Sequence, residues 1–317
     1  MNLSIIIPNY NGEDLLKKNL PVVLKSVKNY KDGKIEIIIP DDPSTDNSRE
    51  VIKDFIGNIT QANVTGKTVS NTDKKEAGFS KNVNRGVSLA TGDILLLLNS
   101  DVAPHEDFLD ALLPHFSDPD VFAVGCMDES IEDGQKILRG RGIGKWERGF
   151  LFHARGNPDK DNTLWAGGGS SAFRKKIWDK IGGLDEIYNP FYWEDNDLSY
   201  RALKTGYKII FEKKSLVIHE HEKGAIKKNA NNSQIKKTAY RNQFYFVWLN
   251  ITDKNLLLSH ILWFPYHLLT SLLRKDWYFY AGLFSALRQI NKVMKKREKY
   301  TKLFIKTDKE ILGEFKK

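Results

Sequence analysis

The stretch Gly92-Asp93-Ile94-Leu95-Leu96-Leu97-Leu98-Asn99-Ser100-Asp101-Val102 decides how the rest of the chain is read. Its five consecutive aliphatic residues, Ile94 to Leu98, are too few for a free-standing helix and do not alternate. That pattern predicts a central parallel strand covered on both faces. Three short polar residues follow at once, and ligands of open α/β sheets sit beyond the carboxyl ends of the strands. A carboxylate at Asp101 is therefore placed to hold a metal bound to phosphate. The plainer alternative is a turn using Asp and Asn for local hydrogen bonds.

Upstream, Leu3 to Ile7 reads as a buried strand and Pro8-Asn9-Tyr10-Asn11-Gly12 as its loop. A helical pattern runs from about Glu13 to Val27, then a strand from Ile35 to Ile39 ending in Asp41-Asp42. Ser44 or Thr45 is a candidate cap for the helix carrying Val51, Ile52 and Phe55. Alternating strands and helices of this kind predict a doubly wound parallel sheet. No Gly-x-Gly-x-x-Gly turn follows the first strand, which excludes a dinucleotide site of the usual type. Ala77 to Gly86 opens another helix, and Asp107 to Phe116 a further one.

Downstream, Phe122 to Cys126 reads as a strand and Asp128 to Pro158 as an irregular segment beside the site. Trp165 to Ser171 is expected to precede a helix carrying Phe173 and Ile177. Glu194-Asp195-Asn196-Asp197 opens a helix that stops at Gly206, and two strands, Lys208 to Phe211 and Leu216 to Ile218, lead to His219-Glu220-His221. Each polar cluster has an ordinary structural explanation, such as helix-dipole complementation for Glu194, Asp195 and Asp197. Their joint placement at strand ends is what suggests a site.

The chain has 317 residues, 41% hydrophobic and 28% charged, as in a globular protein with a real core. The net charge of +9 is uneven: residues 223–317 hold 20 Lys and Arg against 6 acidic residues, while the first 222 are slightly acidic. Two regions are expected, a catalytic body over 1–222 and a basic, apolar helical region over 223–317. The single Cys126 excludes an internal disulfide and suits a reducing compartment. The N-terminus runs directly into a strand pattern, so no signal peptide is expected. Leu256 to Leu273 is strongly apolar but carries His260, Pro265 and His267, and Trp277 to Leu287 is a second apolar stretch. With flanking Lys, Arg, Trp and Tyr, these suit helices lying in a membrane interface, ahead of helices packed on the first domain or a true span.

The motifs, taken together, resemble the family 2 glycosyltransferases of GT-A fold, especially bacterial rhamnosyltransferase-like members. The stretches that carry the likeness are Ser4 to Asn11, Asp41 to Ser48, Gly78 to Gly86, Ala90 to Asp101, Gly167 to Gly169, Gly182 to Glu186 and Trp193 to Leu198. The resemblance implies an α/β, Rossmann-like mixed sheet with a C-terminal helical extension. It implies an inverting, metal-dependent transfer of a sugar from a UDP- or dTDP-sugar to a hydroxyl of a glycan or lipid-linked acceptor in cell-surface polysaccharide synthesis. Asp195 would be the general base, with Glu194 beside it. Asp101 and His219 would hold Mn²⁺ or Mg²⁺, His221 being a weaker substitute for His219. Asn99 stands where the family's metal motif has its first Asp. Pro8, Asn9, Tyr10, Asn11, Asp42, Ser80, Asn84, Asn99 and Ser100 would line the nucleotide-sugar pocket, Asp42 receiving a pyrimidine N3–H. Trp165, Gly168 and Trp193 would shape the acceptor site, and the role of Arg201 stays open between structure and phosphate contact. The expected location is cytoplasmic, peripheral on the cytoplasmic face of the inner membrane.

Three rivals follow from the same residues. A nucleotidyltransferase would need a Gly-rich basic loop after the first strand, which Asn9 to Gly12 does not supply. Nucleic-acid binding through the basic tail would want aromatics interleaved with Lys and Arg, whereas here they sit in apolar runs. A catalytically inactive sugar-nucleotide-binding descendant is allowed by Asn99.

Overall fold

A computed structural model describes residues 1–132, 135–220, 224 and 230–315. A nine-stranded mixed sheet runs in the order β3-β2-β1-β4-β10-β6-β11-β5, with β7 paired to β6. The strands are β1 (Leu3–Ile6), β2 (Ile35–Asp41), β3 (Val64–Ser70), β4 (Ile94–Leu98), β5 (Val102–Pro104), β6 (Val121–Glu132), β7 (Gln135–Arg139), β10 (Ser170–Arg174) and β11 (Lys208–His219). A separate hairpin joins β8 (Gly142–Glu147) to β9 (Phe150–Arg155). Helices α1 (Glu13–Ser26), α2 (Ser48–Gly57), α3 (Phe79–Ser88), α4 (Phe108–Leu112), α5 (Lys175–Ile181) and α6 (Glu194–Lys204) cover the sheet.

The unalternating run is buried at every position of β4, which lies between parallel β1 and antiparallel β10. Strands β1, β2 and β4 are mutually parallel, so their carboxyl ends share one edge of the sheet. β6 runs antiparallel to β10, as β4 does, and β11 is parallel to β6. The end of β11 therefore reaches that same edge. There His219 pairs with Val102 of β5, one residue past Asp101, and Glu220 N donates to Asp101 O at 3.0 Å. Two clusters separated by more than a hundred residues thus meet through strand register.

The structure corrects several local expectations. Asn47, not Ser44 or Thr45, is the N-cap residue of α2; Ser44 instead donates to Asp41 Oδ1 at 2.6 Å. The 107–116 helix is shortened to α4 and continues as a 3-10 turn, Leu113–Ser117, at Pro114. The segment 128–158, expected to be irregular, is largely strand: residues 128–132 continue β6, and β7, β8 and β9 follow. Periodicity gave no sign of β7 because it has no buried alternate positions. Phe173 lies in β10 rather than in a helix, and the two strands after α6 are one strand with a register shift between Glu212 and Leu216. His221 lies outside the described residues.

The C-terminal region is helical: α7 (Asn232–Asn250), α8 (Lys254–Leu273), α9 (Trp277–Leu287), α10 (Ile290–Thr301) and α11 (Asp308–Glu314). Phe244, Phe246 and Leu249 of α7 join the buried cluster that contains Leu95, Leu97 and Phe173 of the sheet. Phe246 packs its ring on Trp193 at 5.2 Å and on Tyr200 at 5.1 Å. Asn242 Nδ2 lies 2.8, 2.9 and 2.8 Å from the carbonyls of Tyr188, Phe191 and Tyr192, clamping the loop that enters α6. α7 thereby helps position the first turn of α6, where Glu194 and Asp195 stand.

Candidate active site

The carboxyl edge of the sheet opens into a cleft of about 930 Å³. Pro8, Asn9, Tyr10, Asp42, Asn99, Ser100, Asp101, Trp165, Gly168, Glu194, Asp195 and His219 all line it. The structure does not bring every expected residue there. Asn11 turns back, at φ 49°, to accept from Thr45 N at 2.7 Å. Ser80 is 1% exposed inside the first turn of α3, and Asn84 donates to Leu184 O at 2.8 Å, on the far side of that helix. Trp193 is buried against Phe246, and the exposed Tyr192 before it takes the place in the cleft wall. These four residues support the site rather than line it.

On one side, Asp42 accepts from Gly78 N at 2.8 Å, Arg85 at 3.2 Å and Asn71 at 3.3 Å. Its carboxylate is thus fixed at the cleft wall. Asn82, which sequence reasoning missed, donates to the carbonyls of Asn9 and Pro40 at 3.1 Å each and ties the first two strand-end loops together. Asp41 lies deeper and is structural, taking Asn9 Nδ2 at 2.8 Å.

At the centre, His219 Nε2 is 3.4 Å from Asp101 Oδ1, close enough for both to reach one ion. Asp101 Oδ1 is buried and accepts no hydrogen bond among the described residues. The other ring nitrogen, Nδ1, lies 3.2 Å from Asp128 Oδ2, and Ser170 Oγ donates to Asp128 Oδ1 at 2.6 Å. A carboxylate behind a histidine in this way fixes the ring and its ligand atom. Burial favours the neutral ring, but Asp101 and Asp128 outweigh it and hold the imidazole up at about 9. Asp128 follows the apolar run ending at Cys126 but lies inside β6, which runs on to Glu132, so a search of strand ends passes over it. Among the described residues no three His, Cys, Asp or Glu side chains converge on one ion. A divalent metal held by Asp101 and His219 would have to displace the proton from Nε2 and take its remaining ligands from phosphate oxygens and water.

Asn99 is held by the tripeptide Gly167-Gly168-Gly169, its backbone N donating to Gly169 O at 2.9 Å. A Cβ on Gly169 would lie 2.7 Å from Asn99 Nδ2 and 3.4 Å from His219 Cε1. Gly169→Ala is expected to weaken metal-dependent nucleotide binding by about tenfold or more, since small displacements at such a site are costly. The melting temperature should stay within a few degrees of wild type. Unchanged affinity by calorimetry would refute the placement.

Opposite stands the first turn of α6. Asp195 Oδ1 accepts from Asn196 N at 2.7 Å, and burial pushes its carboxyl above the ordinary range, against the pull of that N–H and of His153. Glu194 is raised too, to about 8, by burial and then by the Asp195 charge, and its Oε2 has no partner among the described residues. His153 of β9, for which the sequence held no signal, sets its ring against Trp165 at 5.3 Å and Trp193 at 5.0 Å. Arg201 is structural: it is 1% exposed and donates to Asp197 Oδ2 at 2.8 Å and to the carbonyls of Ile181 and Gly183. Asp197, fully buried, belongs to that network and not to the cleft.

The raised Glu194 carboxyl has a consequence for stability. The folded state holds this proton up to about pH 8, the unfolded chain only to about 4.5. Its stabilising contribution is complete below the lower value and is lost as pH rises through the upper one. Wild type should lose up to a few kcal/mol relative to Glu194→Gln between those limits. Parallel stability–pH curves for the two proteins would show that Glu194 ionises normally.

Comparison with known proteins places this geometry among relatives. The family description "Glycosyl transferase family 2" matches residues 4–182. A GalNAc(5)-diNAcBac-PP-undecaprenol beta-1,3-glucosyltransferase of Campylobacter jejuni is 28% identical over 144 residues, 45% of this chain and 44% of the relative. A poly(ribitol-phosphate) beta-glucosyltransferase of Bacillus spizizenii is 31% identical over 163 residues, 51% of this chain and 22% of the relative. The matches thus span less than half the length of these relatives. Among solved structures, GalNAc-T7 with UDP, GalNAc and Mn²⁺ superposes with a TM-score of 0.68 at 18% identity, over 99% of this chain and 56% of that one. TarS 1–349 of S. aureus in complex with UDP-GlcNAc gives 0.60 at 12% identity, over 98% and 89%.

Proposed function

Because the chain belongs to glycosyl transferase family 2 and has the GT-A fold, we propose that it is an inverting glycosyltransferase. It transfers a sugar from a UDP- or dTDP-sugar to a hydroxyl of a glycan or lipid-linked acceptor in surface polysaccharide synthesis, at the cytoplasmic face of the inner membrane. The observation that carries this reading is one cleft holding a fixed pyrimidine-side carboxylate, Asp42, the Asp101–His219 pair, and Asp195. Neighbouring folds were solved with UDP, and relatives are named for undecaprenol-diphosphate-linked and polyol-phosphate acceptors.

In this mechanism Asp42 and the loop Pro8 to Tyr10 hold the base, and Asp101 and His219 are the residues that would hold Mn²⁺ or Mg²⁺. When bound, such an ion would supply Lewis-acid stabilisation of the departing nucleoside diphosphate. Asp195 takes the proton of the acceptor hydroxyl as its oxygen attacks the anomeric carbon. The C–O bond to the diphosphate breaks on the opposite face, giving inversion. Trp165 and Gly168 border the acceptor, and burial together with the Asp195 charge favours the neutral form of Glu194 beside it.

The test is nucleoside diphosphate release from a panel of UDP-, dTDP- and GDP-sugars with Mn²⁺, with the product anomer read by NMR. UDP or dTDP release with an inverted anomer supports the reading, and a retained anomer contradicts it. Asn99 favours one second reading, a binding-only protein. Tight metal-dependent nucleotide binding without release from any donor and acceptor would establish that one.

A further inference from the structure

We propose that the outer face of α8 and α9 is a docking surface for an anionic lipid bilayer, with α8 lying flat in the interface. This goes beyond the reading of the cleft and stands without it.

Helix α8 is apolar on its inner and on its outer side. Leu258, Ile261, Leu262, Leu269, Leu272 and Leu273 recur at helical spacing, and all six face outward, Ile261 66% and Leu273 73% exposed. Among the described residues α8 is the one helix long and apolar enough to cross a membrane, with only 6% of that window buried. Trp277, Phe284 and Leu287 of α9 continue the exposed apolar surface. An uncovered apolar patch of this extent marks an interaction surface.

The other side of α8 packs Leu256, Leu257, Phe264 and Leu268 against the core and is tied to the body by hydrogen bonds. His260 Nδ1 donates to Gly149 O at 2.7 Å while its Nε2 accepts from Trp248 Nε1 at 3.2 Å. His267 Nε2 donates to Arg148 O at 2.7 Å, and Trp146 Nε1 to Ser259 Oγ at 3.2 Å. Crossing a bilayer would break these bonds and carry two histidines into hydrocarbon. Half-immersion leaves them intact.

The rim identifies the occupant. Arg148 lies over the Tyr266 ring at 5.2 Å and Lys236 over Tyr278 at 5.6 Å, both lysine and arginine being exposed. Exposed Arg274 and Lys275 join α8 to α9. The acidic residue beside them, Asp276, is engaged by the Tyr240 hydroxyl. Apolar side chains at the centre, Trp and Tyr at the margin and basic groups around it complement anionic headgroups. The same hairpin turn that rests on α8, Arg148-Gly149, leads into β9, which carries His153 and Arg155 to the cleft. If the acceptor is lipid-linked, as the proposed function has it, docking sets that wall of the cleft on the bilayer side.

The test is sedimentation of the full chain with phosphatidylcholine vesicles, with and without about one-third phosphatidylglycerol. The expected result is binding to the anionic vesicles, extractable by carbonate and at least roughly tenfold weaker on neutral ones. Ile261→Glu/Leu269→Glu should weaken it about tenfold or more, and Lys236→Glu/Arg274→Glu should remove its dependence on anionic lipid. Melting temperatures within a few degrees of wild type show that both variants fold. Absence of vesicle binding by wild type overturns the proposal. So does resistance to carbonate, which means a span, or a dimer in solution that the apolar double variant dissolves, which means a second copy covers the face.

Discussion

Asp195→Asn is expected to lower kcat by about 100- to 10,000-fold, the range lost with a general base. The change keeps the shape of the side chain and its place beside Asn196, so UDP should raise the melting temperature as much as in wild type. Glu194→Gln makes the sharper comparison. Glu194 is already protonated near neutrality, so a neutral amide in its place should keep kcat within about threefold of wild type. A mild Asp195→Asn with a crippled Glu194→Gln would exchange the two roles.

Asp308→Ala is expected to cost about 3–5 kcal/mol of stability in denaturant unfolding, the penalty for stranding a buried charge. Asp308 is fully buried on α11 and accepts from Tyr200 at 2.8 Å, Lys204 at 2.9 Å, Thr252 N at 2.7 Å and Asp253 N at 2.8 Å. Lys204, on α6, is itself fully buried. Without the carboxylate its buried ammonium loses the salt-bridge partner it has among the described residues. The effect reaches the catalytic helix through its last turn, so the C-terminal helices stabilise the site as well as themselves. A loss below about 1 kcal/mol would mean that water enters and replaces the carboxylate.

Much of the site was legible because strand ends announce themselves. Ile94 to Leu98 could only be a doubly covered strand, and β4 is one; the polar residues that follow it line the cleft. The family likeness added which carboxylate to set against which histidine, and strand register explains why they meet. Legibility failed where packing decides. Asn84, Ser80 and Trp193 sit within motif stretches, but a helix and an indole each turn one side inward, and these residues turn theirs away from the cleft. The hairpin of β8 and β9 was missed because neither strand alternates buried and exposed positions. His153 went with it. Arg201 was undecided from sequence since a buried ion pair at i,i+4 and a phosphate contact look identical in a string of letters.

The account turns on Asp101 and His219 holding a metal against a pyrimidine nucleoside diphosphate. The most direct measurement is the thermal shift of wild type and Asp101→Ala with UDP, dTDP, GDP and CDP, each with and without Mn²⁺. A ligand at 100 times its dissociation constant adds about 2.7 kcal/mol, well within reach of such a scan. The expected result is stabilisation of wild type by UDP or dTDP only when Mn²⁺ is present, and its loss in Asp101→Ala. Equal stabilisation of both proteins, or none with any nucleotide, would contradict the account.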